Sequence, residues 1–255
     1  MAVGTPQRAV LPAARPAPEA VQARRAHDRG YWSGIRFLLF GRAVPGVLFG
    51  YMGWMQLTKV MANVQHLHAG VSLSAVGGRI VAPALYTVFC AIPAGLYLTR
   101  PRPRARDGRL VARGAAFTGT LMQLLVGVFL GAGPVLYTPP AVLGSASVAL
   151  SIVAFSGAIW SLLYLRRSLS IIPEARRLAR GGPYRIVRHP LYLFEITAAV
   201  SVFGGALGAI SVASFAVFVA MQMVRARFEE QLLARTFPEY ADYARRTRRL
   251  IPFVW

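Results

Sequence analysis

Residues 181–192 read Gly-Gly-Pro-Tyr-Arg-Ile-Val-Arg-His-Pro-Leu-Tyr, a dense group of side chains able to do chemistry. Gly181, Gly182 and Pro183 specify a turn. Pro190 suits the first position of a helix, where its missing N–H is not needed. His189 then stands at the helix mouth, and Tyr192 and Glu195 follow near one helical face. Glu195 lies inside an apolar run, where a carboxylate is costly and by default marks function. The plainer reading is a set of interfacial anchors, since Tyr, His and Arg are common at the headgroup level. A second group is Arg225 and Glu229, four apart on one helical face, with Glu230 beside them. Spacing alone reads that pair as a surface ion pair leading into an amphipathic helix. A third is the aromatic stripe Phe237, Tyr240, Tyr243, which predicts a short helix packed on something apolar, before Arg248-Arg249-Leu250-Ile251-Pro252-Phe253.

The elements that must position these groups are membrane helices. The chain has 255 residues, 55% hydrophobic and 15% charged, against about 25% charged in soluble domains. Its net charge of +20 does not indicate a nucleic-acid partner, because the arginines sit between long apolar runs. Cys90, the single cysteine, excludes an intrachain disulfide and a cysteine-based metal site. His66 and His68 lack a third ligand, so no metal site is read. A span needs roughly 20 apolar residues. Candidates run from Ile35 to Leu57, from Val76 to Leu98, twice within the uncharged stretch Gly114–Leu165, and as a hairpin from Pro190 to Val224. Gly131, Gly133, Pro134, Pro139 and Pro140 mark the turn inside the uncharged stretch; Gly204, Gly205 and Gly208 mark the turn inside the hairpin. The expected fold is all-α: a polytopic transmembrane helix bundle of about six spans, or five if the last hairpin is partly re-entrant.

Arginines crowd 100–113, 166–188 and 225–249, while the opposite connections carry only Lys59. The positive-inside rule therefore predicts both termini and the Arg-rich loops in the cytoplasm. Residues 1–30, rich in Ala, Pro and Arg, read as a disordered cytoplasmic tail. Such a start also fits a transit peptide. Three regions result: that tail, an N-terminal group of four spans over 31–165, and a C-terminal unit over 166–255.

Gly-Pro-Tyr, Arg-His-Pro-x-Tyr, Arg-x-x-x-Glu-Glu one hairpin later, Phe…Tyr-x-x-Tyr and a terminal Ile-Pro-Phe occur in that order over 166–255. In this the chain resembles the isoprenylcysteine carboxyl methyltransferase family, in its bacterial branch of integral membrane methyltransferases. The resemblance implies S-adenosylmethionine as cofactor. Arg176, Arg177, Leu178 and Ala179 would contact it largely through backbone. Tyr184, His189, Pro190, Leu191 and Tyr192 would line its pocket, and Glu229 would bind it from the other side. Arg225 is the expected catalytic contact to the methyl-accepting group. Phe194, standing where family members often have Gly, is placed on the acceptor side with Glu195, which either faces the acceptor or caps a polar contact between spans.

Methyl transfer to a carboxylate or thiolate needs no general base, so positioning in a dry site suffices, and one arginine orients a carboxylate bidentately. A lipophilic small-molecule or lipid acceptor, a carboxylate first, would enter from the bilayer, with the active site on the cytoplasmic side of a bacterial inner membrane. Phospholipid and small-thiol methyltransferases are close alternatives. A nicotinamide-dependent membrane sterol-type reductase is a further one. A transporter or scaffold predicts internal symmetry, and the two halves show no repeat.

Overall fold

The computed structural model describes residues 34–70, 73–125, 133–201 and 207–251. The expected N-terminal tail, the turn glycines Gly131, Gly204 and Gly205, and Pro252-Phe253 lie outside the described residues.

Among the described residues there are seven α-helices, the first six on apolar runs: α1 (Val44–His68), α2 (Leu73–Thr99), α3 (Leu110–Leu125), α4 (Ala141–Leu165), α5 (Pro190–Ser201), α6 (Ala209–Thr236) and α7 (Tyr240–Arg246). Among the described residues four helical stretches are long and apolar enough to cross a membrane: Phe37–His68, Arg79–Thr99, Val142–Ser168 and Ala209–Thr236. The apolar α5 is shorter, and α3 is followed to Leu125, where description stops. The molecule is thus a polytopic helical bundle.

A wider helical turn, Phe37–Ala43, feeds α1. Arg42 is held there, donating from Nε and Nη2 to the Arg100 carbonyl at 3.1 and 2.8 Å. α1 continues past the expected end at Leu57 to His68. Its C-terminal half is more polar, but between Trp54 and Ala69 the sequence holds neither Gly nor Pro to stop a helix. Gly70, at φ +87°, follows the end of the helix.

Small residues set the packing of α1 on α2. A Cβ on Gly53 would lie 3.3 Å from Cys90 Cβ, and one on Gly46 3.5 Å from the Ala94 carbonyl. Such close approach is the usual way membrane helices gain contact. From there α2 packs on α4 and α4 on α5, while α3 pairs with α6. Two strand pairs tie the connections together. Ala105–Arg106 (β1) runs antiparallel to Glu174–Ala175 (β3) at the arginine-rich end. Val135–Tyr137 (β2) pairs with Leu207–Gly208 (β4) at the other end. Among the described residues each pair stays two-stranded.

Phe194 has a definite place in this packing. Its ring lies directly over Gly157 of α4, where any side chain would collide with it. The Gly expected near position 194 is in effect supplied by the facing helix. Gly157→Val is expected to destabilise the protein by about 2 kcal/mol through overpacking. Melting in detergent checks this, and adding Phe194→Ala should recover most of the loss because the two positions share one contact.

Candidate active site

The Arg-rich loop after α4 is built on buried ion pairs. Glu174 accepts from Arg176 Nη2 at 2.7 Å and Ser170 Oγ at 2.6 Å, and Arg100 Nη1 lies 3.5 Å away. Arg100 stacks its guanidinium over Tyr97 at 4.2 Å and donates to Gly41 and Leu169 carbonyls. Arg176 also donates to the Pro101 carbonyl at 2.9 Å. Buried charges persist only when paired in this way. The Arg176 side chain is therefore spent on joining two loops.

The turn that follows is set by an aromatic ring. Tyr164 lies flat against Gly181 and Gly182; a Cβ on Gly182 would sit 2.6 Å from its ring, and Gly182 adopts φ +56°. Both facts require glycine there. The single helical turn Gly182–Arg185 then buries Tyr184, and burial pushes its hydroxyl well above the usual range.

The C-terminal helix closes over this loop. Phe237, Tyr240 and Tyr243 are buried with Ala175 and pack on Leu178, Leu232 and Leu233, the apolar support their spacing predicts. Tyr243 Oη donates to the Tyr184 carbonyl at 2.8 Å. Desolvation pushes that phenol up to about 12, so it remains a donor through the neutral range. Beyond α7 the chain runs parallel to Val187, and Arg188 and His189 N–H groups donate to the carbonyls of Arg248 and Arg249. Glu230 fastens the same segments by side chain: it accepts from Arg188 Nε at 2.8 Å and from Arg249 Nε and Nη2 at 3.0 and 2.7 Å. His189 Nε2 stands 3.2 Å from the same carboxylate.

Glu229, one residue earlier, faces the other way, into a cavity. Tyr192 Oη donates to its carboxylate, and the Tyr192 ring stacks on His189 with centroids 5.3 Å apart and planes 3° from parallel. Arg225 is not joined to Glu229 by the expected ion pair. Its Nη1 donates to Gln222 Oε1 at 2.8 Å and its Nη2 to the Ile171 carbonyl at 3.3 Å, with the guanidinium 4.8 Å from the Tyr192 ring. Gln222 Nε2 in turn donates to Glu195 Oε2 at 2.6 Å. Gly119 of α3 makes room: a Cβ there would lie 3.1 Å from both Arg225 Cδ and Gln222 Oε1.

A cavity of about 860 Å³ runs through these groups. Its polar end is walled by Leu178, Tyr184, Glu229 and the α7 tyrosines, and its body by Phe49, Met52, Phe89, Phe155 and Phe218 from α1, α2, α4 and α6. Arg177, Leu178, Ala179, Tyr184, His189, Leu191, Tyr192, Glu195, Arg225 and Glu229 all line it. Among the residues singled out by sequence, Arg176, Pro190 and Phe194 are not on its wall. Pro190 is buried at the start of α5. Gln222 and Glu230 were not singled out for a role in the site. Gln222 carried a legible signal, an amide inside an apolar span.

The polar end of this cavity suits an amphiphilic cofactor. A carboxylate open to the cavity is a natural partner for vicinal ribose hydroxyls, and the leucine and tyrosine walls suit a purine. The buried Tyr240 hydroxyl has no hydrogen-bond partner among the described residues.

Residues 140–240 match the family described as phospholipid methyltransferase. The chain is 34% identical over 102 residues to the nickel-cobalt-cadmium resistance protein NccN of Alcaligenes xylosoxydans xylosoxydans, covering 39% of this chain and 45% of that protein. It is 33% identical over 113 residues to the cobalt-zinc-cadmium resistance protein CzcN of Cupriavidus metallidurans, covering 43% of this chain and 48% of that one. The matched stretch thus spans about half the length of these curated relatives.

Proposed function

With a phospholipid methyltransferase family domain over residues 140–240 as premise, we propose that the protein is an S-adenosylmethionine-dependent methyltransferase of a lipophilic acceptor. It works in a bacterial inner membrane, with its cofactor end toward the cytoplasm. The carrying observation is one continuous cavity with two chemically different parts: a polar end at Glu229 and Tyr184, and an aromatic body reaching Phe49, Phe89 and Phe218 inside the bundle.

The roles divide along it. Glu229 and the walls from Arg177 to Tyr184 hold the cofactor, which supplies an electrophilic methyl group when bound. Tyr192 fixes Glu229 by its hydroxyl and is itself fixed by the His189 ring. Arg225, at the junction of the two parts, orients the acceptor. The aromatic body excludes water and takes the acceptor's apolar portion, so positioning provides most of the rate. The four helices of residues 34–165 serve as the wall of this acceptor chamber, and residues 166–251 form the cofactor-binding unit. The family resemblance suggests a carboxylate acceptor; the surroundings of Arg225 bear on that choice below.

Calorimetric titration with S-adenosylhomocysteine tests the reading. The purified full-length protein is expected to bind, and Glu229→Ala to weaken binding at least tenfold, in line with losing charge-assisted hydrogen bonds. Binding of a nicotinamide dinucleotide in place of S-adenosylhomocysteine by the unmutated protein would sink the methyltransferase reading.

A further inference from the structure

Glu195 and Arg225 lie in one hydrogen-bonded chain, but they do not touch in it. Gln222, wholly buried, stands between them: its amide N–H₂ takes Glu195 Oε2 and its carbonyl takes Arg225 Nη1. A direct Arg–carboxylate fork would satisfy both charges mutually. The bridging amide instead leaves each with capacity to spare. Arg225 Nε is buried without a hydrogen-bond partner among the described residues. Glu195 lines the cavity with only its Oε2 engaged among the described residues. Both side chains line the cavity, so an occupant of the junction meets a guanidinium and a carboxyl group there.

Charge decides which acceptor group fits. A carboxylate would set a second anion directly beside Glu195, against the one guanidinium of this hydrogen-bonded chain, Arg225, where charge is weakly screened. An ammonium would arrive against Arg225 and has no lone pair with which to attack the methyl carbon. A neutral X–H group fits both neighbours: its lone pair faces the guanidinium and its hydrogen faces the carboxylate. We propose that Glu195 is the proton acceptor of the reaction, that Gln222 holds it apart from Arg225, and that the methyl acceptor is an uncharged lipophilic molecule bearing a protonated nucleophile, a thiol in the first place. In the step, the S–H proton passes to Glu195. The thiol sulfur's electron pair forms the new bond to the methyl carbon, and the old carbon–sulfonium bond breaks with its pair leaving on the cofactor sulfur. Arg225 steadies the thiolate character as it develops.

This rests on the methyltransferase reading, and the experiment separates the two. The full chain in nanodiscs is first titrated with S-adenosylhomocysteine; no binding there defeats the methyltransferase reading itself. The loaded protein is then offered 1-octanethiol, octanoate and octylamine. The unmutated protein is expected to retain octanethiol in preference to octanoate. Glu195→Gln, which keeps the shape and removes the charge, is expected to shift that preference at least tenfold toward octanoate with S-adenosylhomocysteine affinity unchanged. With labelled methyl donor, octanethiol turnover should fall about 10²–10⁴-fold in Glu195→Gln, the range for loss of a general base. Gln222→Leu should lower kcat far more than it changes KM, as expected for a positioning residue. Preference of the unmutated protein for octanoate, retention of none of the probes, or turnover insensitive to Glu195→Gln would overturn the proposal.

Discussion

Glu230→Ala is expected to release the C-terminal segment and cost about 2–3 kcal/mol of stability. From α6 the carboxylate ties two pieces of chain together: the consecutive Arg188 and His189 at the mouth of α5, and Arg249 of the tail. Its own side chain is 13% exposed, and those of Arg188 and Arg249 are 14% and 25% exposed. Removing one member of such a cluster leaves the others charged and half-desolvated, which costs 3–5 kcal/mol when burial is complete and less where water screens the pair. Arg188 keeps its bonds to the Ala244 and Thr247 carbonyls, and the backbone bonds to Arg248 and Arg249 remain. Loosening is therefore local before it is global. Trypsin should cut after Arg248 and Arg249 at least tenfold faster, and the melting temperature in detergent should fall. Glu230→Gln, which retains acceptor oxygen without charge, should show a smaller effect. An unchanged cleavage rate in Glu230→Ala would mean that the backbone pairing alone holds the tail. The His189–Tyr192 stack would also lose its anchor, so cofactor affinity should weaken with Glu229 untouched.

That contrast between Glu229 and Glu230 marks how far the sequence could be read. The doublet was visible, but two adjacent helical residues point about 100° apart, and nothing in the sequence says which turns to the cavity and which to the tail. The partners of Glu230 lie nineteen to forty-two positions away, a separation at which no local periodicity speaks. The helices themselves were legible because a lipid-facing surface demands long apolar runs. Their ends were less so. α6 continues unbroken through Arg225, Glu229 and Glu230 to Thr236, where the apolar count suggested a span ending near Val224. Polar residues stop a membrane run without stopping a helix. The aromatic stripe at 237, 240 and 243 packs on one apolar cluster as read, but only Tyr240 and Tyr243 stand on the short helix, Phe237 lying between α6 and α7. Phe194 was read toward the acceptor and lies instead on Gly157, a complement visible only when α4 and α5 are set side by side. Arg176 was grouped with Arg177 by adjacency, yet it turns into the Glu174 cluster while Arg177 reaches the cavity wall.

Arg225→Lys is expected to keep S-adenosylhomocysteine affinity within about threefold and to lower methyl transfer at least 10²-fold, the scale on which misplacement by about an ångström acts. Lysine preserves the charge but not the planar fork that now reaches Gln222 Oε1 and the Ile171 carbonyl at once while lying over the Tyr192 ring. Arg225→Leu goes further, because Glu195 then lies among helices with no cation near it and Gln222 loses the donor to its carbonyl. A lone buried carboxylate is costly, so this variant should melt well below the parent. The double variant Arg225→Leu/Glu195→Leu removes both charges and should regain a large part of that stability, since replacing a buried pair by apolar groups is often neutral or favourable. Activity should not return with it. Recovery of melting temperature without recovery of turnover, at unchanged cofactor affinity, would assign the Glu195–Gln222–Arg225 chain to the handling of the acceptor. Recovery of both would reduce it to a structural bridge between α5 and α6.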